Sequence, residues 1–129
     1  MTRTLLLVSA LALTVPATAA EKLKPVRHLI DTHIHLYDPR RDVEMSWPPE
    51  SDKVLHKPQL PAEYSRVAKA AGTTGVIVVE ASNHLTDNRW VLDLVKGDDF
   101  YVGLVGNIDV NHRDFEKQLR KLKKDKRFV

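Results

Sequence analysis

The segment Gly75-Val76-Ile77-Val78-Val79-Glu80 constrains this chain most. A surface strand alternates apolar and polar residues, because successive side chains point to opposite faces. Here the β-branched run is unbroken, which suits a parallel strand covered on both faces. Parallel strands need a crossover each, usually a helix, and helix signals lie on both sides of the run. Upstream, Pro61 opens an amphipathic stretch with Tyr64, Val67, Ala68 and Ala71 on one face, and Gly72 stands where a left-handed stop is wanted. Downstream, Thr86 or Asp87 is placed to cap a second helix carrying Trp90, Val91, Leu94 and Val95, closed by Gly97.

The pattern occurs three times. Leu29 to His35 reads as a first strand and Phe100 to Ile108 as a third, with Asn111 or Asp114 starting a last helix from Phe115 to about Lys124. Three alternations of strand and helix predict an α/β fold with a parallel sheet and right-handed crossovers. The final residues, Arg127-Phe128-Val129, read as the start of a fourth strand. A closed eight-unit barrel needs about 250 residues, so three units are expected to leave two sheet edges open. The expectation is the N-terminal part of a larger protein or a truncated reading frame.

The N-terminus has a different character. Arg3, an apolar run from Leu5 to Val15, Pro16 and the tail Ala17-Thr18-Ala19-Ala20 match a secretory signal peptide. The apolar run is short of the ~20 residues that span a bilayer. We expect residues 1–20 to be a signal peptide cleaved after Ala19 or Ala20. The domain is then 21–129, exported to the periplasm or secreted, with no membrane association after cleavage. The chain has no cysteine, so neither disulfides nor a lipid-attachment thiol arise.

Charge argues against a polyanionic partner. The formal net charge is +3, and the leader removes only Arg3 from that balance. Basic residues gather only from Arg113 to Arg127, where Phe115, Leu119 and Leu122 at helical spacing leave the lysines on a solvated face. No nucleic-acid partner is expected.

Chemistry concentrates at the first strand. In regular extended backbone Asp31, His33 and His35 share one face and Ile30, Thr32 and Ile34 the other. Two imidazoles about 6.6 Å apart at Cα can converge on one divalent cation, although an isolated His-x-His pair is also common by chance. The stretch from Tyr37 to Leu60 carries Pro39, Pro48, Pro49 and Pro58 without periodicity. Loops this long inside compact domains are often functional.

The segment Ile30-Asp31-Thr32-His33-Ile34-His35-Leu36-Tyr37-Asp38-Pro39 resembles the opening strand of the amidohydrolase superfamily. The likeness narrows to the amidohydrolase-related branch that includes fuconolactonase-like and other sugar-lactone hydrolases. It is carried by Ser46-Trp47-Pro48, Leu60-Pro61-Ala62-Glu63-Tyr64, Val78-Val79-Glu80-Ala81, Asn88-Arg89-Trp90-Val91-Leu92 and Val105-Gly106-Asn107-Ile108-Asp109, in the family's order. The resemblance implies the first three units of a TIM-type (β/α)8 barrel, with the active site at the C-terminal ends of the strands. It implies that His33 and His35 ligate a divalent metal ion, often zinc, although in some lactonase relatives the matching histidines bind substrate without a required metal. It also implies further ligands and a catalytic aspartate on the fifth, sixth and eighth strands, which this sequence does not include, so the catalytic residue is not among these 129.

The implied activity is hydrolysis of a small cyclic ester, with a metal-dependent decarboxylase or amide hydrolase on the same barrel as the alternative. A nuclease of the similar barrel type is disfavoured by the near-neutral charge, since phosphodiester substrates reward basic clefts. From another class, the chain is a non-catalytic product that self-associates through open strand edges. Glu80, at the second strand's mouth where this branch often has Gln, is a candidate contact to a small-molecule substrate. Trp47, as an apolar wall over a sugar ring, and His84, in the following loop, are two more. Asp31 reads as orienting His33 or packing the barrel interior, and Asn107 and Asp109 as facing the same mouth or starting a helix. His28, His56 and His112 read as exposed, and Trp90 as core.

Overall fold

The computed structural model describes residues 27–43, 45 and 47–129. The signal peptide expected at 1–20 lies outside them, as does Ser46 of the tryptophan loop. Strands β1 (Ile30–Ile34), β2 (Gly75–Val79) and β3 (Tyr101–Val105) alternate with helices α1 (Pro61–Ala70), α2 (Leu85–Leu94) and α3 (Phe115–Leu122). The sheet is parallel throughout, in the order β1-β2-β3. The alternation expected from the sequence is therefore the fold. The chain's last residues, expected to enter a fourth strand, make one isolated parallel bridge to β3 at Phe128: Leu104 N–H donates to the Arg127 carbonyl at 2.7 Å and Val129 N–H to the Leu104 carbonyl at 2.9 Å. The outer edge of β3 is thus covered at one bridge, and the β1 edge has no such bridge among the described residues.

One face of the sheet packs on the helices. Val76, Val78, Ile34, Tyr101 and Leu104 are buried there with Ala68 of α1, Val91 and Leu92 of α2, Leu122 of α3 and Phe128. The other face is more open, with Ile30 39% exposed, Val102 48% and Val105 43%. Burial of β2 on both faces is therefore incomplete, with Ile77 and Val79 half-buried.

Two irregularities set which residues face which way. Asp31 pairs with Val76 but Ile34 pairs with Val78, so β1 spends one extra residue between them. Val76 pairs with Tyr101 but Ile77 with Gly103, so β3 does the same. An extra residue re-aims the side chains on either side of it. Tyr101 and Leu104 consequently both reach the helices, and the Tyr101 hydroxyl donates to the Pro61 carbonyl at the start of α1 at 3.0 Å.

The helix ends depart in detail from the expected signals. Gly72 and Gly97 do take positive φ, 88° and 82°, where α1 and α2 stop. His84, not Thr86 or Asp87, holds the N-cap of α2, and no side chain caps it. Asp87 is turned inward instead, to a salt bridge with Arg41 at 2.8 Å. On α1 only Ala68 is fully buried and Val67 is 59% exposed, so the apolar stripe is narrower than its spacing suggested. Strand β3 ends at Val105, three residues before the expected boundary, because Asn107 is drawn into bonds with α2. Arg127 closes the C-terminal end of α2 by donating to the carbonyls of Leu92 and Val95, each at 2.9 Å, where a cation also suits the helix dipole.

Asn88 joins the two strand-end loops. Fully buried on α2, it donates to the carbonyls of Leu85 at 3.0 Å and Asn107 at 2.8 Å and accepts from Asn107 N–H at 2.8 Å. Asn88→Ala removes all three bonds, two of them the ties from α2 to the Asn107 backbone. We predict a loss of about 2–4 kcal/mol in urea unfolding, against less than about 0.5 kcal/mol for the exposed Asn83→Ala.

Candidate active site at the strand ends

In a parallel α/β layer, ligands bind at the carboxyl ends of the strands. His33 and His35 lie at that end of β1, with ring centroids 5.1 Å apart and planes at 82°. His35 Nδ1 is 2.8 Å from the Val79 carbonyl at the end of β2. A carbonyl only accepts, so Nδ1 carries the proton. The neutral ring then presents Nε2 as a lone pair, the form a metal ligand or general base requires.

Asp31 is not on this face. The extra residue in β1 turns it toward the helices, where it accepts from the Tyr64 hydroxyl of α1 at 2.6 Å and from His33 N–H at 3.1 Å. The Tyr64 hydrogen bond, followed by that from His33, holds its carboxyl below the ordinary 3.8. Regular alternation predicted a shared face with the histidines and a place in the barrel interior; the register shift overturns that. Asp31 still steadies His33, through backbone rather than imidazole.

Trp47 stands beside the pair, its ring 5.3 Å from that of His35 and 5.4 Å from that of Tyr37. It is 38% exposed, so the residue remains accessible from solvent. With Ile34, Leu55, Gln59 and Tyr64 these aromatics line a concavity of about 410 Å³ under the long loop. The loop is closed at its base by reciprocal backbone bonds between Tyr37 and Gln59, at 3.1 and 2.8 Å. His56, expected to be exposed, is half-buried in this loop, its Nδ1 donating to the Pro48 carbonyl at 2.9 Å. His28 and His112 are exposed as expected.

Glu80 follows β2 directly, next to the Val79 carbonyl that holds His35. Its Oε1 accepts from Ser82 N–H at 2.9 Å, while Oε2 is buried with no hydrogen-bond partner. Burial first, then the charge of Asp87, pushes its carboxyl above the ordinary 4.5. His84 is half-buried at the start of α2, its N–H donating to Ser82 Oγ at 3.0 Å. Asn107 spans the mouth by donating to the Ser82 carbonyl at 3.0 Å. Asp109 turns away into its own loop, accepting from Asn111 N–H at 2.9 Å.

Arg41 had no signal in the sequence. From the long loop it reaches Asp87 and stacks over Trp90, 4.0 Å from the ring centroid. Both contacts are set by tertiary proximity, forty-six residues apart in the Asp87 case, so no local motif marks them. Trp90, read as core, is half-buried and packs against the core with Arg41 over it.

The arrangement defines a class: the opening units of a TIM-type barrel with a histidine pair at the strand mouth. Solved structures bear out the fold. Two crystal forms of an amidohydrolase from Burkholderia multivorans, one with bound HEPES and one with bound zinc, superpose on this chain with a TM-score of 0.65 at 20% sequence identity. The match covers 73% of this chain and 32% and 33% of those chains, so the chain spans about a third of the structures it matches. No protein-family model and no curated protein matches the sequence.

Glu80 generates a prediction with a definite sign. Below its ordinary 4.5 the carboxyl is neutral in both folded and unfolded chains. As pH rises the unfolded chain ionises first, and stability is lost through the higher folded-state value. Glu80→Gln keeps an acceptor for Ser82 and cannot ionise. Its melting temperature should exceed wild type at pH 7 and match it near pH 4; equal melting at both values would contradict the assignment.

Proposed function

We propose that this chain is the N-terminal part of a hydrolase of the amidohydrolase superfamily that opens a small cyclic ester, a sugar lactone of the fuconolactonase-like kind. The observation carrying the reading is the meeting of His33 and His35 at the strand mouth, with Nε2 of His35 left as a lone pair by the bond to Val79. The likeness in fold to an amidohydrolase crystallised with zinc supports it.

The donor set fits part of a catalytic zinc site. Two imidazoles supply two of the three protein ligands such a site needs. No group of three His, Cys, Asp or Glu suited to a metal occurs among the described residues. His33 and His35 would hold two positions of a divalent ion, which would supply Lewis acidity and acidify a water toward pKa ~7. The chain's own residues do the rest: Val79 fixes the His35 tautomer, Trp47, braced from beneath by buried Tyr37, offers an aromatic surface to a ring-shaped substrate, and Glu80 and His84 border the mouth.

With two ligands the chain alone binds metal weakly and turns over little. In calorimetric titration of the 129-residue chain with zinc, we predict weak one-site binding that His33→Ala or His35→Ala abolishes, with lactone hydrolysis at background. Zinc binding indifferent to both substitutions would overturn the ligand assignment. A kcat/KM above about 10⁴ M⁻¹ s⁻¹, ordinary for an enzyme, would overturn the claim that the site is incomplete.

A further inference from the structure

A second concavity lies apart from the histidine mouth. Helices α2 and α3 diverge to leave a groove of about 500 Å³, lined by Leu85, Arg89, Trp90, Lys117, Lys121 and Leu122 among others. That volume is within the roughly 300–1,000 Å³ typical of small-molecule sites. It shares no lining residue with the concavity beside His35.

Its chemistry is two-sided. The apolar part comes from the side chains of Leu85 and Leu122 and from Trp90, whose ring is backed by the Arg41 guanidinium and so held in place. The charged part is unbalanced. Arg89 is neutralised by a two-point bond to Asp93, and Asp114 lies 3.7 Å from Arg113. Lys117 and Lys121, one helical turn apart on α3, have no acidic partner within salt-bridge distance among the described residues, where Glu116 is taken by Arg120. Two uncompensated ammonium groups over an aromatic and aliphatic floor complement a ligand with an apolar body and one anionic head. Lysine stems can also lie along that body while their heads meet the charge.

We propose that the α2–α3 groove binds a small anionic amphiphile, a medium-chain or aromatic carboxylate, with its apolar body against Trp90 and Leu122 and its carboxylate between Lys117 and Lys121. This site is separate from the strand-end chemistry and stands or falls without it.

Decanoate below its micelle-forming concentration is the probe, with decanol as its uncharged counterpart. The chain has two tryptophans, so Trp47→Phe leaves Trp90 as the sole indole reporter. Decanoate should change Trp90 emission saturably, and decanol should bind at least tenfold more weakly. Lys117→Gln with Lys121→Gln should weaken decanoate at least tenfold while leaving decanol and the melting temperature unchanged, both lysines being exposed. Amide shift changes in a ¹⁵N-labelled sample should fall on α2 and α3. No saturable change, equal affinity for decanoate and decanol, undiminished binding by the double variant, or shifts centred elsewhere would each overturn the proposal.

Discussion

Parallel pairing of β2 with a strand on each side is the constraint on which the rest depends. Once Gly75–Val79 is hydrogen-bonded between β1 and β3, its Val76 and Val78 must face the helices, and every other residue's direction follows from register. Val79 then ends β2 with its carbonyl at the mouth, where it receives His35. A slip of one residue in β2 would exchange the two faces. It would bury half-exposed Ile77 and Val79 against the helices and remove the acceptor that orients His35.

The two extra residues in β1 and β3 adapt this frame to its ends. In β1 the extra residue separates Asp31 from the histidines and gives it to Tyr64, which ties the strand to α1. In β3 it lets Tyr101 and Leu104 both pack inward. The loops at the mouth are held by a separate polar network, in which the Asn88 side chain bonds the Asn107 backbone and the Asn107 side chain donates in turn to the Ser82 carbonyl, linking α2 to the ends of β2 and β3. Apolar register and amide bonds thus converge on one end of the sheet. That is where a barrel of this kind places its chemistry.

Local patterns in the sequence were enough for the six elements and the two glycine stops, because each rests on side-chain periodicity or backbone freedom within a few residues. What they missed depends on pairing partners far away. Nothing in Ile30-Asp31-Thr32-His33 announces an extra residue, so alternation placed Asp31 on the wrong face. Thr86 and Asp87 looked like caps because capping chemistry is local, but Arg41, remote in sequence, claims Asp87. The candidate site was legible as two histidines and a nearby tryptophan. Their mutual geometry, and the part played by Val79, needed the sheet.

We propose that the sheet presents His33 and His35 as a pre-set ligand pair. Long-range ¹H–¹⁵N correlation spectra of the imidazoles test it most directly. The neutral His35 ring is expected to be protonated on Nδ1 and bare on Nε2, with zinc shifting the His35 Nε2 resonance and a ring nitrogen of His33 together. A His35 protonated on Nε2, or zinc-induced shifts confined to His28, His56 or His112, would contradict it.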